Sequence, residues 1–226
     1  MKFTYYGHAC FGIEANGVHL LFDPFITANE LAKDVDVENI PADYIFISHG
    51  HTDHILDCQA IALRTGAKVI CNWEIHEWLN AKDVMNTHPM NTGGKWGFEH
   101  LAVKCVVAQH SSSLPDGAYG GNPMGFIIYI GDESFYFSGD TALTMDMQLI
   151  PSWASLKFSI LPIGDNFTMG ADDALQAAKF VKCNTVIGVH FDTFGYIKID
   201  HAKTKVLFTE NNIHLILPEI GSTIDL

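Results

Sequence analysis

The sequence predicts an α/β chain, a four-layer α/β/β/α sandwich assembled from two β/α half-repeats. Three observations carry this. Both halves of the chain run from short β-type segments into β/α units. The runs Tyr44–Ser48 and Thr185–Val189 are continuously apolar, as strands buried on both faces are. In the segment Ala171–Val181, Ala174, Leu175, Ala178 and Val181 fall on one side of a helix.

Taken in order, Phe3–Tyr6, Cys10–Ala15 and Val18–Phe22 read as strands joined by Gly7 and by Asn16-Gly17. Asn-Gly between apolar runs is a strong two-residue hairpin signal, so the start is an antiparallel meander. After Tyr44–Ser48, the segment Asp53–Arg64 carries Ile55, Leu56, Ile61, Ala62 and Leu63 at roughly helical spacing. Val69–Cys71 is a short strand and Trp73–Asn80 a helix. In the second half Leu101–Gln109, Gly125–Ile130, Phe135–Phe137 and Phe158–Leu161 read as strands, with Asp132-Glu133 in a turn. After Ala171–Val181 and Thr185–Val189 come a helix over His201–Thr209 and a strand over Ile213–Leu217. The segments 86–95 and 114–124 read as pocket loops.

At 226 residues, about 70% of the unfolded chain's surface can be buried, so a core needs no disulfide staples. One domain spanning 1–226 is the expected organisation. Hydrophobic residues make up 48% and charged ones 17%, which excludes a disordered chain. No apolar run reaches the ~18 residues of a membrane helix, and the N-terminus lacks a signal peptide's apolar region. The net charge of −13 disfavours nucleic acid as a partner. Five scattered cysteines with no C-x-x-C pair read as reduced core thiols, so a cytoplasmic location is expected. The expected partner is a small-molecule substrate, with no membrane; a homo-oligomer is compatible with this apolar content.

Twelve histidines nearly equal the thirteen Lys and Arg. The densest feature is Ser48-His49-Gly50-His51-Thr52-Asp53-His54, an H-x-H-x-D-H string directly after a buried strand. Strand ends are where sites are built on α/β scaffolds. His49 and His51, two apart, share one side of an extended stretch. Gly50 lets the chain bend between them. Thr52 or Asp53 is the expected helix cap, and Asp53 and His54 project from the first turn. Such a cluster can serve two cations, His49 and His51 on one, Asp53 and His54 on the other. Each ion needs further donors. His110, Asp140 and His190 occupy the equivalent place, the first polar residues past a strand. His19, His76, His88, His100, His201 and His214 do not, and read as surface or helix residues. Phe191, Phe194 and Tyr196 read as core aromatics rather than an apolar lip over the site.

The set H-x-H-x-D-H, a lone His, S-G-D-T and a C-terminal His after a strand resembles the metallo-β-lactamase superfamily of binuclear metal hydrolases, over nearly the whole chain. YYGHACF, LLFDPF, PIGDNFTMG and VHFDTF are similar to stretches of its small stand-alone hydrolases, related to the ascorbate-6-phosphate lactonase branch. The resemblance implies the metallo-β-lactamase fold. It implies His49, His51 and His110 on a first ion, Asp53, His54 and His190 on a second, and Asp140 bridging both. Asp23 matches an early Asp that orients a ligand, and His8 a branch-specific residue near the site. Asp at 140 rather than Cys disfavours antibiotic hydrolysis. His at 51 rather than Glu departs from the di-iron oxygen-reducing relatives.

The expected cofactor is a pair of divalent ions, zinc first, with manganese or iron compatible. The expected function is hydrolysis of a small anionic ester, lactone or phosphodiester by a hydroxide held between the ions. Asp53 would orient the nucleophile and take its proton; His8 and Asp165 are the candidate acids for the leaving group. A turn or cap is an equal reading of Asp165. The alternatives are an iron-dependent oxidoreductase on the same scaffold and a non-catalytic metal-binding protein; a nuclease is disfavoured by charge.

Overall fold

The Asn16-Gly17 turn forms as its chemistry demands. Both residues have positive φ, 53° and 78°, and Ala15 faces Val18 across the hairpin. The computed structural model describes all residues, Met1–Leu226. They divide into two compact units: 1–91, 111–123 and 219–226 in the first, 92–110 and 124–218 in the second.

The first unit holds β1 (Lys2–Gly7), β2 (Cys10–Ala15), β3 (Val18–Phe22), β4 (Tyr44–Phe46), α1 (Thr52–Ile55), α2 (Cys58–Thr65), β5 (Lys68–Cys71), α3 (Trp73–Asn80) and β6 (Thr87–Pro89). The chain's last strand, Thr223–Asp225, pairs antiparallel with β1 and completes a seven-stranded sheet. From that edge the pairing is antiparallel to β3, then parallel through β4, β5 and β6. One face packs Cys10, Leu21, Ile45 and Val69 against Ile55, Ile61, Ile75 and Leu79 of the helices. The other carries a ladder of fully buried rings, Phe3–Phe11–Phe22–Phe46, stacked at 5.2, 4.5 and 4.6 Å. Burial on both faces is why Tyr44–Phe46 reads as an unbroken apolar run.

The second unit repeats this plan. It holds β7 (Lys95–Gly97), β8 (Ala102–Val107), β9 (Met124–Ile130), β10 (Glu133–Phe137), β11 (Phe158–Pro162), α4 (Ala171–Phe180), β12 (Thr185–Val189), α5 (His201–Glu210) and β13 (His214–Ile216). Its seven strands are antiparallel from β7 to β10 and parallel from β10 to β13. Tyr136, Leu161 and Val186 pack against Ala174, Ala178 and Phe208 of α4 and α5.

The structure departs from expectation in four places. The strand expected over Tyr44–Ser48 ends at Phe46, because the amide of Ser48 turns to the Asp23 carboxylate. The helix expected over Asp53–Arg64 is two helices broken at Asp57. The Asp57 carboxylate accepts from the amides of Ile26 and Thr27 and from the Thr27 hydroxyl, fixing that corner. The segment 86–95 is not wholly loop, since β6 lies within it. β6, β7 and Thr223–Asp225 are three residues each, too short to show a period.

No helix is long and apolar enough to cross a membrane. All five cysteines are free and buried. Burial pushes the thiols of Cys10 and Cys58 well up and that of Cys105 to about 12. Native protein should therefore react with a disulfide reagent at none of the five within minutes at pH 8, and at all five in denaturant; fast native labelling would contradict this burial.

Candidate metal centre

In the first unit the histidine string is positioned from below by one carboxylate. Asp23 follows β3 directly and adopts φ 42°, its amide still donating to Phe46. Its Oδ1 accepts from the Ser48 amide at 2.7 Å and its Oδ2 from the Ser48 hydroxyl at 2.6 Å. Oδ2 also lies 2.8 Å from His54 Nδ1. Ser48 Oγ in turn lies 2.9 Å from His49 Nδ1. The hydroxyl gives its proton to Asp23, so it accepts from His49 Nδ1–H. One fully buried carboxylate thus assigns the tautomers of two histidines and leaves the Nε2 of each as the basic nitrogen. Burial pushes the Asp23 carboxyl up; the hydrogen bonds and charge of His54 and the bonds from Ser48 oppose it.

His49 Nε2 and His51 Nδ1 face each other at 2.9 Å. The outer nitrogen of His51, Nε2, lies 3.3 Å from Ser111 Oγ. His51 is itself the N-cap of α1, in extended conformation and without a side-chain cap bond, which corrects the expected cap at Thr52 or Asp53. Gly50 has a different reason from the expected bend. A Cβ there would meet Leu114 Cδ2 at 3.1 Å and Gly120 Cα and Ser112 Oγ at 3.3 Å, and its amide donates to Ser112 Oγ. Segment 111–123 lies directly on it. Asn72 and Trp78 hold that segment by bonds to Gly120 and Asp116.

Asp53 and His54 do project from the first turn of α1. His8, fully buried at φ 57°, places Nε2 3.0 Å from Asp53 Oδ2, and His54 Nε2 lies 3.9 Å from the same oxygen. The His49 and His54 rings are 4.2 Å apart. Asp23, His49 and His54 offer ligand atoms all within 4.8 Å of one another.

The second unit gathers its own three. Asp140 Oδ2 lies 3.0 Å from His190 Nε2 and 3.7 Å from His110 Nε2. Asp140 and His190 are almost fully buried. His190 follows β12 directly with φ 56°, and Asp140 follows β10 through Gly139 at φ 61°. The Thr141 hydroxyl accepts from the Gln109 amide, tying the Asp140 loop to the residue before His110.

Asp165 is exposed, at φ 63°, and its Oδ1 accepts from the Asn166 amide while its own amide donates to Met169. This is the turn reading of that residue. His201, read as a plain helix residue, bonds Asp192 Oδ2 at 2.6 Å. Phe191 is buried as expected, but Phe194 and Tyr196 are exposed, so the core reading of those two is corrected. Ser48 is a residue that sequence reasoning left without a role; its place next to His49 was the available signal. For 111–113, hydrogen bonds near the metals and a simple turn were equal readings, and the Ser111 hydroxyl lies 3.3 Å from His51 Nε2.

The donor set fits metal: carboxylates and imidazoles, with an outer nitrogen of His54, His49 and His51 next to Asp23, Ser48 and Ser111 in turn. Comparison with known proteins agrees. A beta-lactamase superfamily domain model matches residues 19–191, and the chain belongs to this metallo-β-lactamase superfamily. Within it the chain falls among stand-alone metal-dependent hydrolases. A UPF0173 metal-dependent hydrolase from Christiangramia forsetii is 51% identical over the full length of both chains. A metallo hydrolase from Ignicoccus hospitalis superposes with a TM-score of 0.89 at 34% identity, covering 99% of this chain and 97% of that one. A diiron β-hydroxylase from Streptomyces venezuelae shares the fold alone, at 12% identity and a TM-score of 0.75, over all of this chain and 54% of that one.

Exchanging Asp23 for Asn removes the charge and puts an amide donor where Ser48 or His54 needs an acceptor. D23N should bind divalent metal about 10–100-fold more weakly in chelator competition, with the fold retained by circular dichroism. Ser48→Ala, which touches only the His49 branch, should cost less.

Proposed function

We propose that the chain is a binuclear hydrolase of a small ester, lactone or phosphodiester. His49, His51 and His110 serve as ligands for one ion, Asp53, His54 and His190 for a second, and Asp140 for both. The observation that supports it best is the tautomer arrangement: His49 Nε2 and His51 Nδ1 turned toward each other, with Ser48 and Ser111 on their outer nitrogens. Ser111 is also the residue that follows His110 in the chain. Bound there, two divalent cations supply Lewis acidity and lower the pKa of water to about 7. Zinc suits this imidazole-rich set best, with manganese compatible.

The chain's own groups do the rest. Asp53, partly exposed, orients the attacking water and takes its proton. His8 Nε2–H donates to Asp53 Oδ2 and holds the carboxylate in one rotamer; the proton that Asp53 takes from water passes from Asp53 to the leaving group. Asp165 remains a turn residue in this reading, its carboxylate committed to a backbone amide. The likeness to the lactonase branch rests on motifs and keeps a lactone among the candidate substrates.

The alternative, an iron-dependent oxidoreductase, has the shared fold of a diiron enzyme behind it. It is disfavoured by His at position 51, which supplies a neutral ligand.

Elemental analysis of zinc- or manganese-loaded protein should give close to two ions per chain. Asp53→Ala should lower kcat/KM on a responsive ester or phosphodiester at least 10³-fold with an unchanged melting curve. Hydrolysis that survives complete chelation would overturn the proposal; iron with oxygen consumption would favour the alternative.

A further inference from the structure

Two loops of the second unit flank the Asp140–His190 pair, and each ends in an exposed aromatic ring. The first is the hairpin Gly164–Gly170, closed by a bridge between its end residues and by the bond from the Asp165 amide to Met169. Its tip carries Phe167, 50% exposed. The Met169 amide donates to the carbonyl of Thr141, the residue after Asp140. Its other root lies against His190, for a Cβ on Gly164 would fall 2.1 Å from the His190 carbonyl. The hairpin is therefore stapled to both members of the pair.

The second loop runs from His190 to α5. Asp192 binds it closed: its amide donates to Ile197, its Oδ1 accepts from the Ile199 amide and its Oδ2 contacts His201. The loop carries Tyr196, 78% exposed. The Phe167 and Tyr196 rings meet edge to face at 6.3 Å. Asp165, Asn166, His190 and Asp192 all have positive φ, from 56° to 63°. Non-glycine residues held there store strain, which concentrates at functional sites. A fixed, strained support for two rings that stay in water serves a ligand better than it serves the core.

We propose that Phe167 and Tyr196 form an apolar subsite beside Asp140 and His190 that receives an aryl or alkyl substituent of the substrate. This deepens the hydrolase reading and rests on it. It names the substrate class as an ester or lactone bearing an apolar group, rather than a small, wholly polar anion. Edge-to-face rings present both a face and an edge to a third ring, the preferred geometry for aromatic contact.

The test compares methyl acetate with methyl 3-phenylpropanoate on the metal-loaded enzyme, and methylphosphonate with 3-phenylpropylphosphonate as calorimetric ligands. Wild type should favour the phenyl ester at least tenfold in kcat/KM and bind the phenyl phosphonate at least tenfold more tightly. In F167A/Y196A both preferences should fall to about twofold, and Y196F should keep them, since the ring and not the hydroxyl makes the contact. Both side chains are exposed, so the melting temperature serves as the folding control. Preferences that persist in the double variant would overturn the subsite while leaving the hydrolase reading intact. Phosphonate discrimination lost in the double variant, with neither ester hydrolysed by wild type, would support the subsite and count against the hydrolase reading.

Discussion

The buried carboxylate of Asp23 is the constraint on which the first unit's chemistry depends. It sits where β3 ends and takes hydrogen bonds from the Ser48 amide, the Ser48 hydroxyl and His54 Nδ1. Those contacts end β4 two residues short of the apolar run and start the turn that delivers His49 to the site. They also decide which nitrogen of His49 and of His54 is basic. A buried anion is costly unless it is fully hydrogen bonded, and a carboxylate with three donors satisfies that condition. The same three bonds that make the burial tolerable orient the ligands, so stability and chemistry share one group.

Backbone geometry shows the second half of the design. His8, Asp23 and His190 all adopt positive φ. His and Asp tolerate that region better than bulky or branched residues, and each such position costs on the order of 1–3 kcal/mol. The chain turns sharply there. A side chain that would continue along a strand is redirected past its C-terminal end. Both units use the device on the same topology, four antiparallel strands followed by parallel ones, with the candidate site residues past the ends of β3, β4, β10 and β12.

Charge separates the roles of surface and site. The chain as a whole is strongly acidic, yet each unit gathers imidazoles beside carboxylates: His8, His49 and His54 with Asp23 and Asp53 in the first, His110 and His190 with Asp140 in the second. Such a set is a metal environment first. The exposed rings of Phe167 and Tyr196 stand on the loop that bonds Thr141 and on the loop that follows His190.

The candidate ligand residues were legible in the sequence because they are local or positional. The H-x-H-x-D-H string is contiguous, and His110, Asp140 and His190 each stand just past a strand that betrays itself by its apolar run. Most strands and helices were legible for the same reason, since period and turn chemistry act over a few residues. The short strands β6, β7 and Thr223–Asp225 were not, because three residues show no period and the last pairs with a β1 more than two hundred residues away. Nor was the helix break at Asp57, the work of amides about thirty residues distant. Tautomers, the pairing of His8 with Asp53, the bond of the Asp165 amide to Met169 and the meeting of Phe167 with Tyr196 were decided by tertiary structure alone. Hydrogen bonds and ring contacts depend on distance in space, and only the folded chain sets those distances.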